Sequence, residues 1–432
     1  MKIAIIGAGP GGMSAAYDLK NAGHEVVIFE ASEGVGGLMS GIRQPHWDWS
    51  VEKYYHHWFT SDGAMMKLMR EIGLSKKVTF RTPKTVIFYE GKFYPLDTPM
   101  AALRFPAFNL IDIARFGFVT VYLRYFAKWQ KLEKFRADEW LRKAYGKKIY
   151  KISWEPMIEG KFGPFAKEIS LAWFWARIKA RSTKLGTYDG GFQAFSDDLG
   201  DYLKEKGINF QFNSPVEKIE KRTDGKIEVM SKGEVFEFDQ VLATVPPHLF
   251  AKMTPQLPEN ALGKLRELKH MGAVVLTVSL KHQLSIEGYY WFNMPKNAGF
   301  PFLAAVEHTN FVPKEAFGGD HILYMGDYLE ENHEYFDLTK EELLERFLPS
   351  LKRINPQFHE NWVKDSWLSK TKYAQPVPEV NHSAKIPPIR SGIDGLYFVS
   401  MSHIYPWDRG TNFAVEWGRK TARMMIEDIG KP

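Results

Sequence analysis

The chain has 432 residues, of which 44% are hydrophobic and 15% aromatic, and its formal net charge is +6. This length allows two domains with substantial cores. The absence of cysteine excludes disulfides, thiolate catalysis and cysteine-ligated metal sites, and no uncharged apolar run approaches the ~20 residues needed to cross a bilayer. We therefore predict a cytoplasmic globular protein with no metal site and no nucleic-acid partner.

The chain opens with a pattern typical of a βαβ unit. A strand-like run, Lys2–Ile6, meets the glycine-rich turn GAGPGG at positions 7–12. A helical pattern over 14–22 and a second strand, Glu25–Phe29, follow before Glu30. Because a strand precedes it and a helix and a second strand follow it, the glycine pattern predicts dinucleotide binding.

Each residue of this unit has a physical role. Gly7 makes the tight turn out of the strand, Gly9 lets the backbone approach a pyrophosphate, and Gly12 lets helix and strand pack closely. The helix N-terminus can then hold the phosphates. Glu30 is placed to accept hydrogen bonds from an adenosine ribose.

A second glycine pair, Gly36-Gly37, follows soon after Glu30. The whole stretch resembles the opening of the FAD-dependent flavoprotein superfamily of amine oxidases, protoporphyrinogen oxidases and phytoene (carotenoid) desaturases, in which such a pair lets the loop pass close to FAD. Many members carry Arg after the pair, where this chain has Leu38. The resemblance implies FAD as the cofactor, with contacts at Gly7, Gly9, Pro10, Gly11, Gly12, Glu30, Ala31, Gly36, Gly37 and Leu38.

Four aromatic residues and two adjacent histidines follow closely in the run YYHHWF at 54–59. Such a run makes a poor exposed loop and a good wall beside a planar ring system. In the superfamily this segment runs beneath the isoalloxazine, so His56 or His57 is a candidate flavin-proximal donor or acid/base. The alternative is a structural histidine that hydrogen-bonds to the backbone.

Residues 100–129 are dominated by apolar and aromatic side chains, and 124–151 contains ten Lys or Arg residues against three acidic ones. An apolar helical stretch flanked by cations suits peripheral contact with a membrane headgroup region, or the mouth of a pocket for a lipid-like substrate. The alternative is a core helix with a solvated basic face.

The middle of the chain resembles the substrate domain of the same superfamily, in the order of a short helix ending at Gly146, a Pro-containing segment and the turn GKFG at 160–163. Arg177 and Arg181, four residues apart, share a helix face and suit an anionic group such as a phosphate or propionate, or else an exposed charged surface. By the resemblance, the backbone at Val216 meets the adenine.

The C-terminal segment 395–402 reads as a buried strand, and a long helix follows Gly410-Thr411-Asn412. By its dipole, the N-terminus of that helix would stabilise negative charge on a reduced flavin. The superfamily usually has Gly-Asp or Gly-Glu before this loop; Met401-Ser402 stands here, and Asp408 is a candidate replacement for the acidic contact to FAD. Trp407 is a candidate active-site aromatic.

Together these features predict an α/β fold with a discontinuous Rossmann-like FAD-binding domain of the GR2 type, residues 1–78, 186–268 and 380–432. An α+β substrate domain with a mixed sheet and helices would comprise 79–185 and 269–379, with 100–150 as its membrane-facing or substrate-entry part.

The first functional hypothesis is an FAD-dependent dehydrogenase, desaturase or oxidase that takes hydride from a hydrophobic substrate, such as an isoprenoid or tetrapyrrole, with oxygen or a quinone as acceptor. The second is a redox-neutral isomerase or mutase, resembling UDP-galactopyranose mutase or carotenoid isomerase. A third, a non-catalytic binding protein like Rab escort proteins, is disfavoured by the intact glycine motifs. Amine oxidation ranks lower, because Trp407 and Trp367 could flank an amine but no lysine can be assigned.

Overall fold

The computed structural model describes residues 1–96 and 98–430. Its N-terminal part is built on a five-stranded parallel sheet, whose middle strands are apolar runs buried on both faces, as parallel strands are. In spatial order the strands are Asn209–Gln211, Glu25–Phe29, Lys2–Ile6, Gln240–Ala243 and Leu396–Phe398. This sheet therefore contains strands from both the first and the last quarter of the chain.

Both faces of the parallel sheet are covered. One face packs on the helices Pro10–Asn21, Gly63–Glu71, Gly191–Glu205 and Thr411–Ile429. The other face packs on an antiparallel sheet of three strands, Val216–Lys221, Ile227–Ser231 and Glu234–Phe238. It also packs on two helices, Pro247–Met253 and Glu259–Glu267. This arrangement confirms the predicted α/β class.

The first helix begins at Pro10 rather than at the predicted residue 14. Proline is well tolerated at the first helical position, because its missing N–H has no partner there in any case. The last glycines of the glycine-rich turn, Gly11 and Gly12, therefore form the first turn of this helix.

The second large sheet has seven strands and is mixed, as predicted. In spatial order the strands are Val363–Pro376, His270–Leu280, His321–Leu329, Ala304–Glu307, Tyr289–Asn293, Lys84–Tyr89 and Lys92–Pro95. Neighbours are antiparallel except for Tyr289–Asn293 with Lys84–Tyr89. An α-helix over Lys340–Phe347 gives way to a 3₁₀ segment, Leu348–Arg353, where Pro349 removes a backbone donor.

Residues 99–180 form a helical layer against this sheet. Its helices are Pro99–Leu103, Leu110–Val121, Trp129–Leu132, Ala137–Ala144, Lys147–Ile149, Glu155–Phe162 and Leu171–Ala180, with wider helical turns at Tyr122–Phe126 and Tyr150–Trp154. Leu123 is fully buried, whereas Leu110 and Ile111 are each 78% exposed. Within the described ranges, no helix combines the length and apolarity that a membrane span requires.

Short sheets connect the two large ones. Trp58–Phe59 and Val78–Arg81 both pair with Leu185–Tyr188, and Gly41–Ile42 pairs with Val51–Glu52. The buried Glu52 carboxylate accepts hydrogen bonds from the Phe192 amide (3.0 Å), in the helix Gly191–Glu205, and from the Tyr324 hydroxyl (3.1 Å), in the strand His321–Leu329. The predicted domain boundaries stay a prediction, and positions 97, 431 and 432 within them lie outside the described residues.

Candidate active site

The glycine-rich turn leaves an open backbone surface at the end of the first strand. Gly7 has φ +108° and donates its N–H to the Phe29 carbonyl at 2.8 Å. A Cβ on Gly12 would lie 2.0 Å from the Gly7 carbonyl oxygen, whereas a Cβ on Gly9 would meet no heavy atom within 4 Å. Gly12 is thus required by packing, and Gly9 faces free space that a phosphate could fill.

Glu30 ties this turn to the segment that follows the second strand. Its carboxylate accepts hydrogen bonds from the Ala8 amide (2.7 Å), the Ser32 amide (2.9 Å) and the Ser32 hydroxyl (2.7 Å). The Glu30 carbonyl also accepts from the Ser214 amide at 2.8 Å, which brings the start of the Val216 strand beside it. Glu30, the exposed Ala31 and Val216 therefore lie on one side of the glycine-rich turn, where we predict the adenosine.

The second glycine pair packs directly against the first turn. Gly36 (φ +120°) donates its amide to the Ala8 carbonyl at 3.0 Å, and a Cβ on Gly37 (φ +57°) would lie 3.5 Å from the Gly9 Cα. Leu38 follows in a short 3₁₀ turn, Gly37–Met39. The two glycine turns thus form one continuous surface, and this surface fits a dinucleotide whose phosphates need close backbone approach.

The C-terminal helix begins beside that surface. A Cβ on Gly418 would lie 2.1 Å from the Gly11 carbonyl oxygen, so the helix Thr411–Ile429 packs closely on Pro10–Asn21. The Thr411 hydroxyl accepts from the Trp58 indole N–H (2.7 Å), and the Asn412 side-chain carbonyl accepts from the Met65 amide (3.0 Å). These side chains anchor the helix, so the predicted contact of Gly410, Thr411 and Asn412 with the cofactor rests on backbone groups.

The two histidines are partly buried, with the His56 ring 5.8 Å from the Phe192 ring and the His57 ring 6.3 Å from the Trp291 ring. The His56 Nδ1 bonds to the Tyr54 carbonyl, and burial, then the charge of Arg409, lowers the pKa of His56 to about 4. Burial, then the charge of Arg181, lowers the pKa of His57 to about 3. Both imidazoles are neutral at pH 7, so either could accept a proton but neither has one to give as an imidazolium. The His57 Nδ1 has no hydrogen-bond partner among the described residues.

Asp408 is the centre of a charge cluster that joins distant segments. Its carboxylate accepts from Lys161 Nζ (2.7 Å), Arg177 (2.5 Å) and the Trp173 indole N–H (3.1 Å). Burial alone would raise the pKa of the Asp408 carboxyl, but Lys161 and Arg177 hold it far below its usual value. Burial lowers the pKa of Lys161 well below normal, so Arg177 is the firmer ion-pair partner. The contacts of Asp408, our candidate flavin ligand, are thus to the protein.

Two further arginines complete this cluster. The Arg409 guanidinium donates to Gln375 Oε1 (3.1 Å) and to the Tyr328 hydroxyl, both neutral. Arg181 keeps an accessible side chain, and the charge of Arg177, then loss of solvation, lowers its pKa to about 9. Lys161, Arg177, Arg181 and Arg409 are hereafter called the cation cluster.

Trp407 packs beside the start of the C-terminal helix. Its ring stacks on Phe413 at 5.5 Å and lies 5.4 Å from the Trp175 ring. It also lines a small cavity together with Tyr405 and Arg409. Trp367 packs elsewhere, 5.1 Å from Trp47, so the two tryptophans do not make the aromatic pair considered for an amine.

Lys161 is the residue that sequence reasoning missed. It stands in the GKFG turn at 160–163, which gives no hint that its ammonium group reaches a carboxylate 247 residues away. Arg177 is not on an exposed charged face, because its side chain is only 13% accessible. The single available signal was the spacing of Arg177 and Arg181.

Comparison with known proteins gives a consistent result. The family described as flavin containing amine oxidoreductase matches residues 10–426. Flavin-containing amine oxidase A of Canis lupus familiaris is 23% identical over 469 residues, covering 99% of this chain and 85% of the relative. Flavin-containing amine oxidase B of Homo sapiens is 22% identical, with coverages of 99% and 86%.

Solved structures share the fold along the whole chain. A candidate protoporphyrinogen oxidase of Exiguobacterium sp. 255-15 has a TM-score of 0.78 at 17% identity, covering 99% of both chains. Reduced UDP-galactopyranose mutase has a TM-score of 0.77 at 17% identity, covering 100% of this chain and 96% of that one. At these identities the likeness shows the fold alone.

The βαβ glycine turn, the second glycine pair and the returning C-terminal helix define a dinucleotide-binding protein of the flavoprotein type. The chain belongs to the flavin-containing amine oxidoreductase family, which confirms the predicted superfamily. It is an FAD-dependent oxidoreductase. The glycine turns leave the open backbone surface that the phosphates of FAD need, and the contact of Glu30 with the ribose stays a prediction.

Proposed function

We propose that the protein oxidises a hydrophobic small molecule by accepting hydride from one of its carbon atoms. The observation that carries this proposal is that both glycine turns and the start of the C-terminal helix adjoin one surface, beside an aromatic and histidine-containing interior. Bound FAD would supply the hydride acceptor, its N5 atom. Molecular oxygen or a quinone would take up the electrons afterwards.

The residues of this interior have separate roles in that proposal. The rings of Tyr55 and Trp291 lie edge to face at 4.9 Å, and His57 packs edge-on to Phe59 at 5.1 Å. These rings would hold an apolar substrate and exclude water. The neutral His56 and His57 would accept a hydrogen bond or a proton from the substrate, because burial keeps their imidazoles unprotonated.

An amine substrate is disfavoured within this family by the cation cluster. Lys161 and Arg177 share one carboxylate, and Arg181 and Arg409 lie nearby without a carboxylate of their own, so an alkylammonium group would enter a region of net positive potential. The name of the amine oxidase relatives is therefore a weak guide to the substrate of this chain. Oxidation at a carbon that bears no ammonium group fits the side chains better.

A redox-neutral mutase or isomerase is the second candidate. One observation favours it: the charges of Arg181 and Arg177 lower the pKa of His57, so both cations face the side of the interior where a diphosphate-bearing substrate could be held. The two candidates differ in electron flow. An oxidase consumes oxygen or a quinone with each turnover, whereas a mutase turns over only with reduced flavin and consumes neither.

The deciding experiment is a flavin reduction assay. The purified protein should show the flavin spectrum, and polyenes, protoporphyrinogen, amines and nucleotide sugars should be added without oxygen while the flavin absorbance is followed. Bleaching by a substrate followed by recovery with oxygen or a quinone supports the oxidase. Turnover only after dithionite reduction would support the mutase, and a protein that binds no FAD on reconstitution would overturn both.

We also propose that the helical layer contacts a membrane surface peripherally. Leu110, Ile111 and Phe118 are 76–78% exposed, and the apolar face they form continues to Tyr125 and Phe126. Exposed lysines without a carboxylate partner among the described residues lie in the same layer: Lys128, Lys131, Lys134, Lys143, Lys147 and Lys151. An apolar face rimmed by cations fits anionic lipid.

Vesicle sedimentation tests the membrane proposal. We expect binding to phosphatidylcholine vesicles that contain phosphatidylglycerol and little binding to phosphatidylcholine alone. The double variant Ile111→Ser/Phe118→Ser should weaken binding about tenfold or more, since each buried apolar side chain contributes ~1.5–3 kcal/mol. The control is Ile286→Ser, which removes an isoleucine that is 75% exposed elsewhere. Equal binding of all three proteins would contradict the proposal.

A further inference from the structure

We propose that Arg181 and Arg177, assisted by Arg409, bind an anionic group of the substrate, a carboxylate or a phosphate. This inference rests on the proposed function, because it names the class of substrate that the interior would accept. It predicts that the substrate is an amphiphile, with an apolar body among the aromatic rings and an anionic end at the cation cluster.

The first support is the imbalance of charge. Among the described residues, Asp408 is the one carboxylate within ion-pair distance of any member of the cation cluster. Arg177 and Lys161 share it, and Arg409 bonds to the neutral Gln375 and Tyr328. Lys161, Arg177 and Arg409 are buried or partly buried, and cations removed from water need an anion, since the cost of an unpaired charge in a protein interior is several kcal/mol.

Arg181 is the member with unused donors. Neither an ion pair nor a side-chain hydrogen bond is formed by its guanidinium within residues 1–96 and 98–430. Its side chain remains accessible, although Arg177 is close enough to lower its pKa. A planar guanidinium with five free donors matches a carboxylate or phosphate in a bidentate manner.

The second support is the neighbouring imidazole. The His57 Nδ1 is buried without a partner among the described residues. The segment that carries Arg181 lies alongside the segment that follows His57, because the Ser61 hydroxyl donates to the Ala180 carbonyl (2.6 Å) and the Thr60 amide donates to the Ser182 hydroxyl oxygen (3.2 Å). An unsatisfied polar atom beside unsatisfied donors indicates a polar group that the protein alone does not supply. An anionic oxygen bound to Arg181 would sit on this side of the interior.

The ordinary reason for arginines in the last turn of a helix does not account for this pair. Cations at a helix C-terminus satisfy its carbonyl groups. In the helix Leu171–Ala180 that role is taken by Arg124, which donates to the Ile178 carbonyl (3.0 Å) and the Arg181 carbonyl (3.3 Å). The Arg177 guanidinium points instead to Asp408, toward the start of the C-terminal helix.

The test uses four octyl compounds that differ in their head group. Octanoate, octyl phosphate, octylamine and 1-octanol are titrated into the holo-protein, with calorimetry as the readout and the flavin absorbance as a second signal. We expect octanoate or octyl phosphate to bind at least tenfold more tightly than octanol, and octylamine to bind most weakly. The ratio of octanoate to octyl phosphate affinity distinguishes a carboxylate from a phosphate substrate.

Three variants locate the effect. Arg181→Gln should weaken binding of the anionic compounds about 10- to 100-fold, the value of a charge-assisted hydrogen bond, and leave octanol unchanged. Arg181→Lys should keep part of the affinity, because it retains the charge without the fork. Lys184→Gln, which removes an exposed positive charge three residues away, should stay within about twofold of the parent in affinity.

Two outcomes would overturn the proposal. The first is an octanoate affinity that is unchanged in Arg181→Gln or no higher than that of octylamine. The second is an unchanged octanoate affinity with a lowered flavin midpoint potential, which would assign the cation cluster to the negative charge of the reduced flavin. Failure of the proposed function is separate: none of the candidate substrates would then reduce the flavin without oxygen, while the calorimetric titration into the holo-protein could still be read.

Discussion

The glycine turns and the cation cluster prepare the protein for negative charge in opposite ways. The turns bring backbone groups together within one short stretch of chain, where a Cβ on Gly37 would contact the Gly9 Cα at 3.5 Å. The cation cluster brings side chains from two distant segments to Asp408, which lies 247 residues from Lys161 and 231 from Arg177. A backbone site depends on local conformation, whereas a side-chain cluster depends on the whole tertiary fold.

The largest effect is expected when the cluster loses its anion. Asp408→Asn leaves Lys161 and Arg177 without a carboxylate, and removing one partner of a buried pair typically costs ~3–5 kcal/mol of unfolding free energy. We expect about 3 kcal/mol, because Lys161 can lose its proton when unpaired. Denaturation of the holo-protein in guanidinium chloride measures the difference.

Matched variants show whether this loss comes from unpaired charge. Asp394→Asn makes the same chemical change at a carboxylate that is 99% exposed and 3.3 Å from Lys221, so it should change stability by less than about 0.5 kcal/mol. Adding Lys161→Met to Asp408→Asn should recover part of the loss. A double variant no more stable than Asp408→Asn would mean that packing, and not charge, is responsible.

The glycine turns should fail for a steric reason. In Gly12→Ala the new methyl group would lie 2.0 Å from the Gly7 carbonyl oxygen, which is backbone and cannot move aside cheaply. We expect about 2–3 kcal/mol lower stability and loss of bound FAD, because helix and turn must separate. Thermal unfolding and the flavin-to-protein absorbance ratio measure the two effects, and a variant with normal FAD content would contradict the expectation.

These two regions also mark what the sequence could predict. The strands, the glycine turns and the returning C-terminal helix were predicted, because each is recorded in local residue types such as Gly7, Gly36 and the apolar run Lys2–Ile6. The predicted start of the first helix, residue 14, was wrong by four residues, because the helix begins at Pro10. Glycines have low helix propensity, but they are acceptable in the first turn of a helix. The partners of Asp408 have no local signature and depend on tertiary packing.

The histidine that adjoins the cation cluster should make stability depend on pH. Unfolded His57 binds a proton below about pH 6.5, whereas the folded residue, with a pKa of about 3, stays neutral. Stability therefore falls as the pH drops below 6.5, by about 2 kcal/mol from this residue at pH 5. His57→Gln removes this term, so its loss of stability between pH 7 and pH 5 should be smaller than that of the parent by this amount. Parallel curves for the two proteins would contradict the assigned burial.

Gly9→Ala should have the smallest effect on stability and still reduce cofactor binding, which separates the two roles of the glycine turn. Gly9 has φ −74°, an ordinary value for alanine, and its new Cβ would meet nothing within 4 Å. Unfolding free energy should therefore change by less than about 0.5 kcal/mol. The methyl group would occupy the space predicted for the phosphates, so calorimetric titration of the apo-protein should show FAD affinity reduced about tenfold or more.

Gly263→Ala, in the helix Glu259–Glu267 and equally free of neighbours, is the control that should keep full FAD affinity. If Gly9→Ala also keeps full FAD affinity, the phosphates do not lie over Gly9, and the glycine turn is then not the backbone site that binds them.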